Sequence, residues 1–177
     1  MTDRLASLCA AMAATLVAPA LIAARPLGSD SAACGSNDGS AIEATIVGLK
    51  DRKGRVKLEL YPANDEDFLK DDRDLVAQGK FFRRIWADLP GDGPVSICIK
   101  APHPGHYAML FTHDRDGKNK FNFWTDGAGF IGNGKLGRSR PKLAMAAIDV
   151  GNQVTHVTIR AQYLRGFSGF GPLKPAQ

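Results

Sequence analysis

Short apolar runs of period two, parted by turn residues, fill the chain from residue 42 onward. No stretch there carries the i, i+3, i+4 spacing of a long amphipathic helix. Residues 55–61 alternate most cleanly, with Val56, Leu58 and Leu60 on one face and Lys57 and Glu59 on the other. Similar runs occupy 42–49, 81–89, 95–101, 107–113, 146–150 and 154–163. A chain that repeats such segments between turns must bury one face of each, which two packed sheets achieve. The pattern predicts an all-β domain: a single seven-strand antiparallel β-sandwich carrying two long loops. The KDRKG turn, with Gly54 free to take a positive φ, predicts a hairpin between the first two runs.

The first 33 residues are different. Leu5 to Ala24 is almost wholly apolar, follows Arg4 and ends among small residues. That order matches a secretory signal cleaved between about residues 20 and 33. A membrane anchor is the competing reading, since about 20 apolar residues can cross a bilayer; Ala dominance and Pro19 favour the signal. The expected organisation is 1–33 signal peptide and polar linker, 34–165 sandwich domain and 166–177 flexible tail. Periplasmic or secreted localisation follows, with no membrane span after cleavage. Loss of 1–33 removes two bases and two acids, so the net charge stays +5. That mild bias and the export signal argue against a nucleic-acid partner.

Two cysteines remain after cleavage, Cys34 and Cys98. An exported chain with two cysteines usually pairs them. In PVSICIK the alternation turns Val95, Ile97 and Ile99 inward and Cys98 outward, where the N-terminal segment can reach it. A Cys34–Cys98 disulfide is expected over two separate thiols.

Two insertions interrupt the strands. Residues 62–80 carry six acids and could hold a short helix using Phe68, Leu69 and Leu75; otherwise they read as solvated surface. Residues 114–143 are Gly-rich, with seven cations against three acids. Loops of this length in a small domain are functional or disordered.

The hairpin GLKDRKGRVKLELY, the segment PGHYAMLFTHDRDGKNKFN and the glycine-rich GAGF together resemble the bacterial domain of unknown function 2141 family over residues 41–163. The resemblance implies an exported β-sandwich akin to transthyretin-like and Ig-like modules. It implies no activity.

Three chemistries compete for the loop after His113. A calcium loop places oxygens at positions 1, 3, 5, 7 and 9. Counting from Asp114, Asp116 and Asn122 fit positions 3 and 9, and Asn119 at position 6 tolerates a left-handed turn. Lys118 at position 5 does not fit, and Thr125 replaces the terminal Glu, although Asp126 follows. The metal set would be Asp114, Asp116 and Asn122 holding Ca²⁺. A self-stapled Asx turn, with lysines in place of the ion, is the stronger expectation; no cofactor is then required. For a transition metal, His103 and His106 flank a turn, but His113 lies about 20 Å along an extended strand. His113 is expected to orient the loop that follows it. No nucleophile elbow or zinc-protease helix is present, so an enzyme is the third and weakest class.

The leading expectation is therefore a non-catalytic module that binds an unknown envelope protein or anionic polymer through residues 113–142. His113, Asp114, Asp116, Asn119 and Asn122 shape the loop, while Lys118, Lys120, Phe123 and Trp124 make contact. The alternative is a calcium-stabilised structural domain. The bland reading of Phe121, Phe123 and Trp124 is that they pin the loop to the sandwich.

Overall fold

The computed structural model describes residues 25–36, 39–132 and 134–173. Each of the seven expected runs holds a strand: β1 Ala41–Val47, β2 Arg55–Pro62, β3 Arg83–Asp88, β4 Val95–Lys100, β5 Gly105–Asp114, β7 Ala147–Val150 and β8 Val154–Arg160; the last run, expected as one strand over 154–163, breaks at Ala161 and its end joins the other sheet. Three short strands join them: β6 Gly127–Gly129, β9 Gln162–Leu164 and β10 Phe170–Pro172. They form two sheets, β4-β1-β8 and β10-β9-β6-β5-β2-β3, with β7 also paired to β5.

The hairpin expectation fails. β1 pairs antiparallel with β4 and parallel with β8, whereas β2 pairs with β3 and β5. The turn at Gly54 thus carries the chain from one sheet to the other. Alternation dictates which face a residue takes but not which strand lies beside it. The β1–β8 pair also makes the sandwich mixed rather than purely antiparallel. Gly54 itself is required: its φ is +70°, and an added Cβ would lie 2.1 Å from the Asp114 carbonyl oxygen.

Between the sheets lies the main core. Ile42, Ala44, Ile46, Val95, Ile97, Ile99 and Ile159 come from the smaller sheet. Val56, Leu58, Leu60, Ile85, Met109 and Phe111 oppose them from the larger. A smaller cluster sits on the other, outward face of the larger sheet, where Tyr61, Ala108 and Leu110 meet Phe68, Leu75, Phe130, Leu136 and Ala146. The two insertions build this second layer. Residues 62–80 are therefore not simply a solvated surface. They hold helix α2 Asp72–Ala77, capped by Asp71, with Leu75 fully buried. Asp67 is buried too, paired with Lys80 at 2.6 Å.

Cys34 and Cys98 form a disulfide with a Cα–Cα distance of 6.0 Å. Cys98 does face away from the core, but it is fully buried because the N-terminal segment lies over it. Helix α1, Ser31–Ser36, contributes Cys34. Ahead of it, the Leu27 backbone bonds to Ser96 and Cys98 of β4. Asp30 accepts the Lys100 amide at 2.8 Å and both arms of the Arg83 guanidinium. Residues 27–33 thus belong to the packed domain rather than to a free linker. Residues 1–24, which include the apolar run expected to be a signal peptide, lie outside the described residues. The segment 166–177, expected to be a flexible tail, is partly built into the sheet. A 3₁₀ turn, Gly166–Ser168, leads into β10, which pairs with β9 and buries Phe170; residues 174–177 lie outside the described residues.

Candidate functional site

β5 is ten residues long and carries two strands end to end along one edge. β6 pairs with its Phe111–His113 end and β7 with its Gly105–Ala108 end. The long insertion is thereby divided. Residues 115–126 form a polar loop beyond the end of β5, and the part after β6 meets the sheet edge at Gly137, bridged to Phe170, before the chain returns at β7. Glycines let β6 in: a Cβ on Gly127 would lie 2.5 Å from the Tyr163 ring, and one on Gly129 would lie 2.6 Å from Ile159.

Register with β2 sorts the side chains of β5 by face. Leu58 opposes Phe111 inside the core; Glu59, Lys57 and Arg55 oppose Leu110, Thr112 and Asp114 on the outward face. Above that outward column the insertions leave a cavity of about 380 Å³. Leu110, Phe121, Phe123, Phe130, Leu136 and Phe170 line it, together with the charged Lys57, Glu59, Arg138 and Arg140. Phe121 and Phe123 pack on Phe170 with centroids 5.9 and 4.9 Å away, yet each remains almost half exposed. Those two rings do pin the loop, and the surface they leave uncovered is cavity wall. Trp124 is 79% exposed and touches Phe123 edge-on, beside a second shallow groove lined by Phe167, Leu164 and Arg138.

The charges at the cavity are not all free. Lys57 pairs with Glu59 at 3.2 Å, and Glu59 is held again by Arg84 at 2.7 Å. Arg140 donates to the Leu69 carbonyl at 3.0 Å. Among the described residues Arg138 makes no ion pair, and its side chain is exposed. Lys118 and Lys120, expected as contact residues, do not line the cavity. Lys118 pairs with Asp116 at 3.4 Å and is largely exposed. The cavity cations missed by sequence reading come from β2 and from the far half of the insertion, where spacing gives no cue.

At the head of the outward column, Asp114 meets the polar loop. Its Oδ2 accepts the Asn119 amide at 3.1 Å and Arg55 Nε at 3.4 Å. Asp116 Oδ1 accepts the Lys118 amide, and its Oδ2 accepts Asn122 Nδ2 at 3.1 Å. The hydrogen bond from Asn122, followed by the amide and charge of Lys118, holds the Asp116 pKa below the usual carboxylate value despite some opposing desolvation. Asn122 Oδ1 in turn accepts the Trp124 amide. Asn119 adopts a φ of 60°, the left-handed region that Asn tolerates. The metal set expected from sequence was Asp114, Asp116 and Asn122. The carboxylate that joins the first two is Asp126, whose oxygens accept the amides of Arg115 at 2.9 Å and Asn122 at 2.8 Å.

His113 faces the opposite way, into the core, and is fully buried. Its Nε2 lies 2.8 Å from the Lys53 carbonyl, a pure acceptor, so Nε2 carries the proton. Nδ1 then accepts the Tyr163 hydroxyl at 2.7 Å, and that hydroxyl accepts the Lys50 amide at 3.0 Å. His113 therefore ties down the 48–54 turn between the sheets rather than the loop that follows it. Burial lowers its pKa, and the bond to Lys53 offsets only part of that. Burial also pushes the Tyr163 phenol up to about 12, which keeps it a donor. His103 is an exposed turn residue bonded to the Pro104 carbonyl, and His106, expected in the same turn, is an exposed residue of β5 bonded to Asp149 across to β7.

A family model described as "Uncharacterized protein conserved in bacteria" (DUF2141) matches residues 44–158, which contain β2 through β7 and the whole long insertion. Comparisons with curated proteins and with solved structures return no match.

Proposed function

We propose, from the premise that the chain belongs to the DUF2141 family, that it acts as an exported, non-catalytic β-sandwich module. Its ligand is an envelope amphiphile with an acyl or similarly apolar chain and an anionic end. The observation that carries this reading is the cavity on the outward face of the larger sheet, walled by Leu110, Phe121, Phe123, Phe130 and Phe170, with Arg138 also in its lining. Its volume of about 380 Å³ falls in the range of small-molecule sites, which are apolar with a few placed polar groups. A chain of methylenes gains about 0.8 kcal/mol for each one buried. A guanidinium without a carboxylate partner complements an anionic head.

Export is supported by the apolar leader run and by the Cys34–Cys98 disulfide, a bond that persists in oxidising compartments. A binding role rather than catalysis is supported by how the cavity's titratable groups are used. Lys57 and Glu59 neutralise each other, and Arg84 holds Glu59 a second time.

Displacement of the fluorescent anion 1-anilinonaphthalene-8-sulfonate tests the reading. Decanoate should displace the dye from the folded protein at micromolar concentrations, and decanol should do so at least tenfold less well. Arg138→Ala should remove most of that difference. Equal displacement by acid and alcohol, or none by either, would contradict it.

A further inference from the structure

At the head of the outward column the structure brings three carboxylates together. Asp114, Asp116 and Asp126 each place an oxygen within 4.8 Å of the other two. Asp114 and Asp126 are almost wholly buried, at 2% and 1% exposed. Placing such charges side by side out of water is costly unless a cation offsets them. The cations nearby are few. Arg55 reaches Asp114 at 3.4 Å, and Lys118 reaches Asp116 from solvent. Arg115 turns its guanidinium away, to Asp51 and the Thr125 carbonyl.

A second observation is independent of the clustering. Among the described residues, Asp114 Oδ1 is the buried side-chain polar atom that has no hydrogen-bond partner. Buried polar atoms are rarely left so, and an ion is one of the few things that satisfies such an oxygen. An ion that contacts oxygens at about 2.4 Å spans two of them up to about 4.8 Å apart, which the cluster meets for every pair. The set is all oxygen, with no imidazole or thiolate, and so selects a hard cation over zinc or copper.

We propose that Asp114, Asp116 and Asp126 bind one divalent cation of the calcium class at the junction of β5 with the 115–126 loop. Asp114 supplies the otherwise unpartnered oxygen. The charge on Lys118 pairs with Asp116 alone among the three carboxylates, and that side chain is 74% exposed, so it does not neutralise the buried pair. The ion also has a consequence for the loop. Phe121 and Phe123 lie between Asp116 and Asp126 in sequence, so an ion tying those two carboxylates together closes the segment that carries both rings. The site is independent of what the cavity holds.

Calcium titration by isothermal calorimetry and thermal melts, on the full mature chain stripped with chelator, decides the matter. One calcium per chain is expected, with saturable heat and a melting temperature that rises as calcium is added. Asp126→Asn should weaken binding at least tenfold. Asp116→Asn, at a position that is only partly buried, should do the same. Asp72→Asn, in the acidic helix α2, should leave binding unchanged. No heat and no melting shift at millimolar calcium would overturn the proposal. So would equal binding by the native chain and Asp116→Asn, or loss of binding only in Asp72→Asn.

Discussion

His113 Nδ1 accepts the Tyr163 hydroxyl at 2.7 Å while Nε2 donates to the Lys53 carbonyl at 2.8 Å, so one neutral imidazole joins β5, β9 and the 48–54 turn. Protonation would put a second donor against the hydroxyl and a charge into the core. The folded-state pKa lies below the ordinary 6.5 because burial disfavours the cation. The folded protein therefore binds fewer protons here than the unfolded chain. The stabilising contribution is complete above pH 6.5 and is lost as pH falls through and below that value. Thermal melts should show a decline between pH 6.5 and about 5, a window in which histidines titrate and most carboxylates do not. His113→Gln should flatten that part of the profile and lower stability at pH 8 by about 2 kcal/mol. An unchanged slope in the variant would show that another group is responsible.

The Cys34–Cys98 bond closes a loop of 64 residues. In the chain-entropy treatment such a closure contributes about 4 kcal/mol. Reduction, or Cys98→Ser, should lower the melting temperature by roughly 10 °C for a domain of this size. A shift of about a degree would mean that the N-terminal segment is held mainly by its other contacts.

Those contacts are themselves testable. Burial raises the pKa of Asp30, but the Arg83 guanidinium and the Lys100 amide outweigh it and hold the carboxyl below its usual value. Arg83→Ala should cost about 2 kcal/mol, as expected for a charge-assisted hydrogen bond. Because Leu27 already pairs with β4, the proposed export predicts cleavage on the N-terminal side of Leu27. Mass spectrometry of the protein from an extracytoplasmic fraction reads that point directly. A mature chain beginning at Cys34 would show that residues 27–33 are dispensable.

Gly127→Ala should destabilise by about 1–3 kcal/mol, the usual cost of overpacking, since its Cβ would enter the Tyr163 ring. The same variant should loosen the His113–Tyr163 bond and shift the pH profile described above. An alanine tolerated without loss of melting temperature would show that Tyr163 is free to move.

Much of the fold was legible because alternation marks buried faces without reference to partners. The seven runs that alternate each hold a strand, and Cys98 turned outward as its position in PVSICIK requires. What alternation cannot carry is pairing. β1 and β2 follow one another across a turn suited to a hairpin, yet they belong to different sheets. β6 and β10 were missed for another reason. Each is three residues long and glycine-bearing, too short for a period, and each becomes a strand only because β5, β9 and Tyr163 are already in place. At the polar loop, a template spaced for calcium loops favoured Asn122 and stopped short of Asp126. An acid just beyond the aromatics was the available signal. The cavity was illegible, because Lys57, Phe130, Arg138 and Phe170 lie far apart in the chain and meet only after both insertions fold over the larger sheet.

Screening separates the two forces assigned to the cavity. If Arg138 recognises an anionic head, raising salt from 0.05 to 0.5 M should weaken decanoate several-fold and leave decanol unaffected. A decanoate affinity indifferent to salt would leave only the apolar contacts.

Amide chemical-shift mapping is the most direct measurement of where a ligand sits. On titration with decanoate, the largest changes should fall on Leu110, Thr112, Ala128, Leu136 and Arg138, with little change in β1, β4 and β8 of the smaller sheet. Changes centred on that smaller sheet, or none at millimolar ligand, would contradict the assignment of the outward cavity as the binding site.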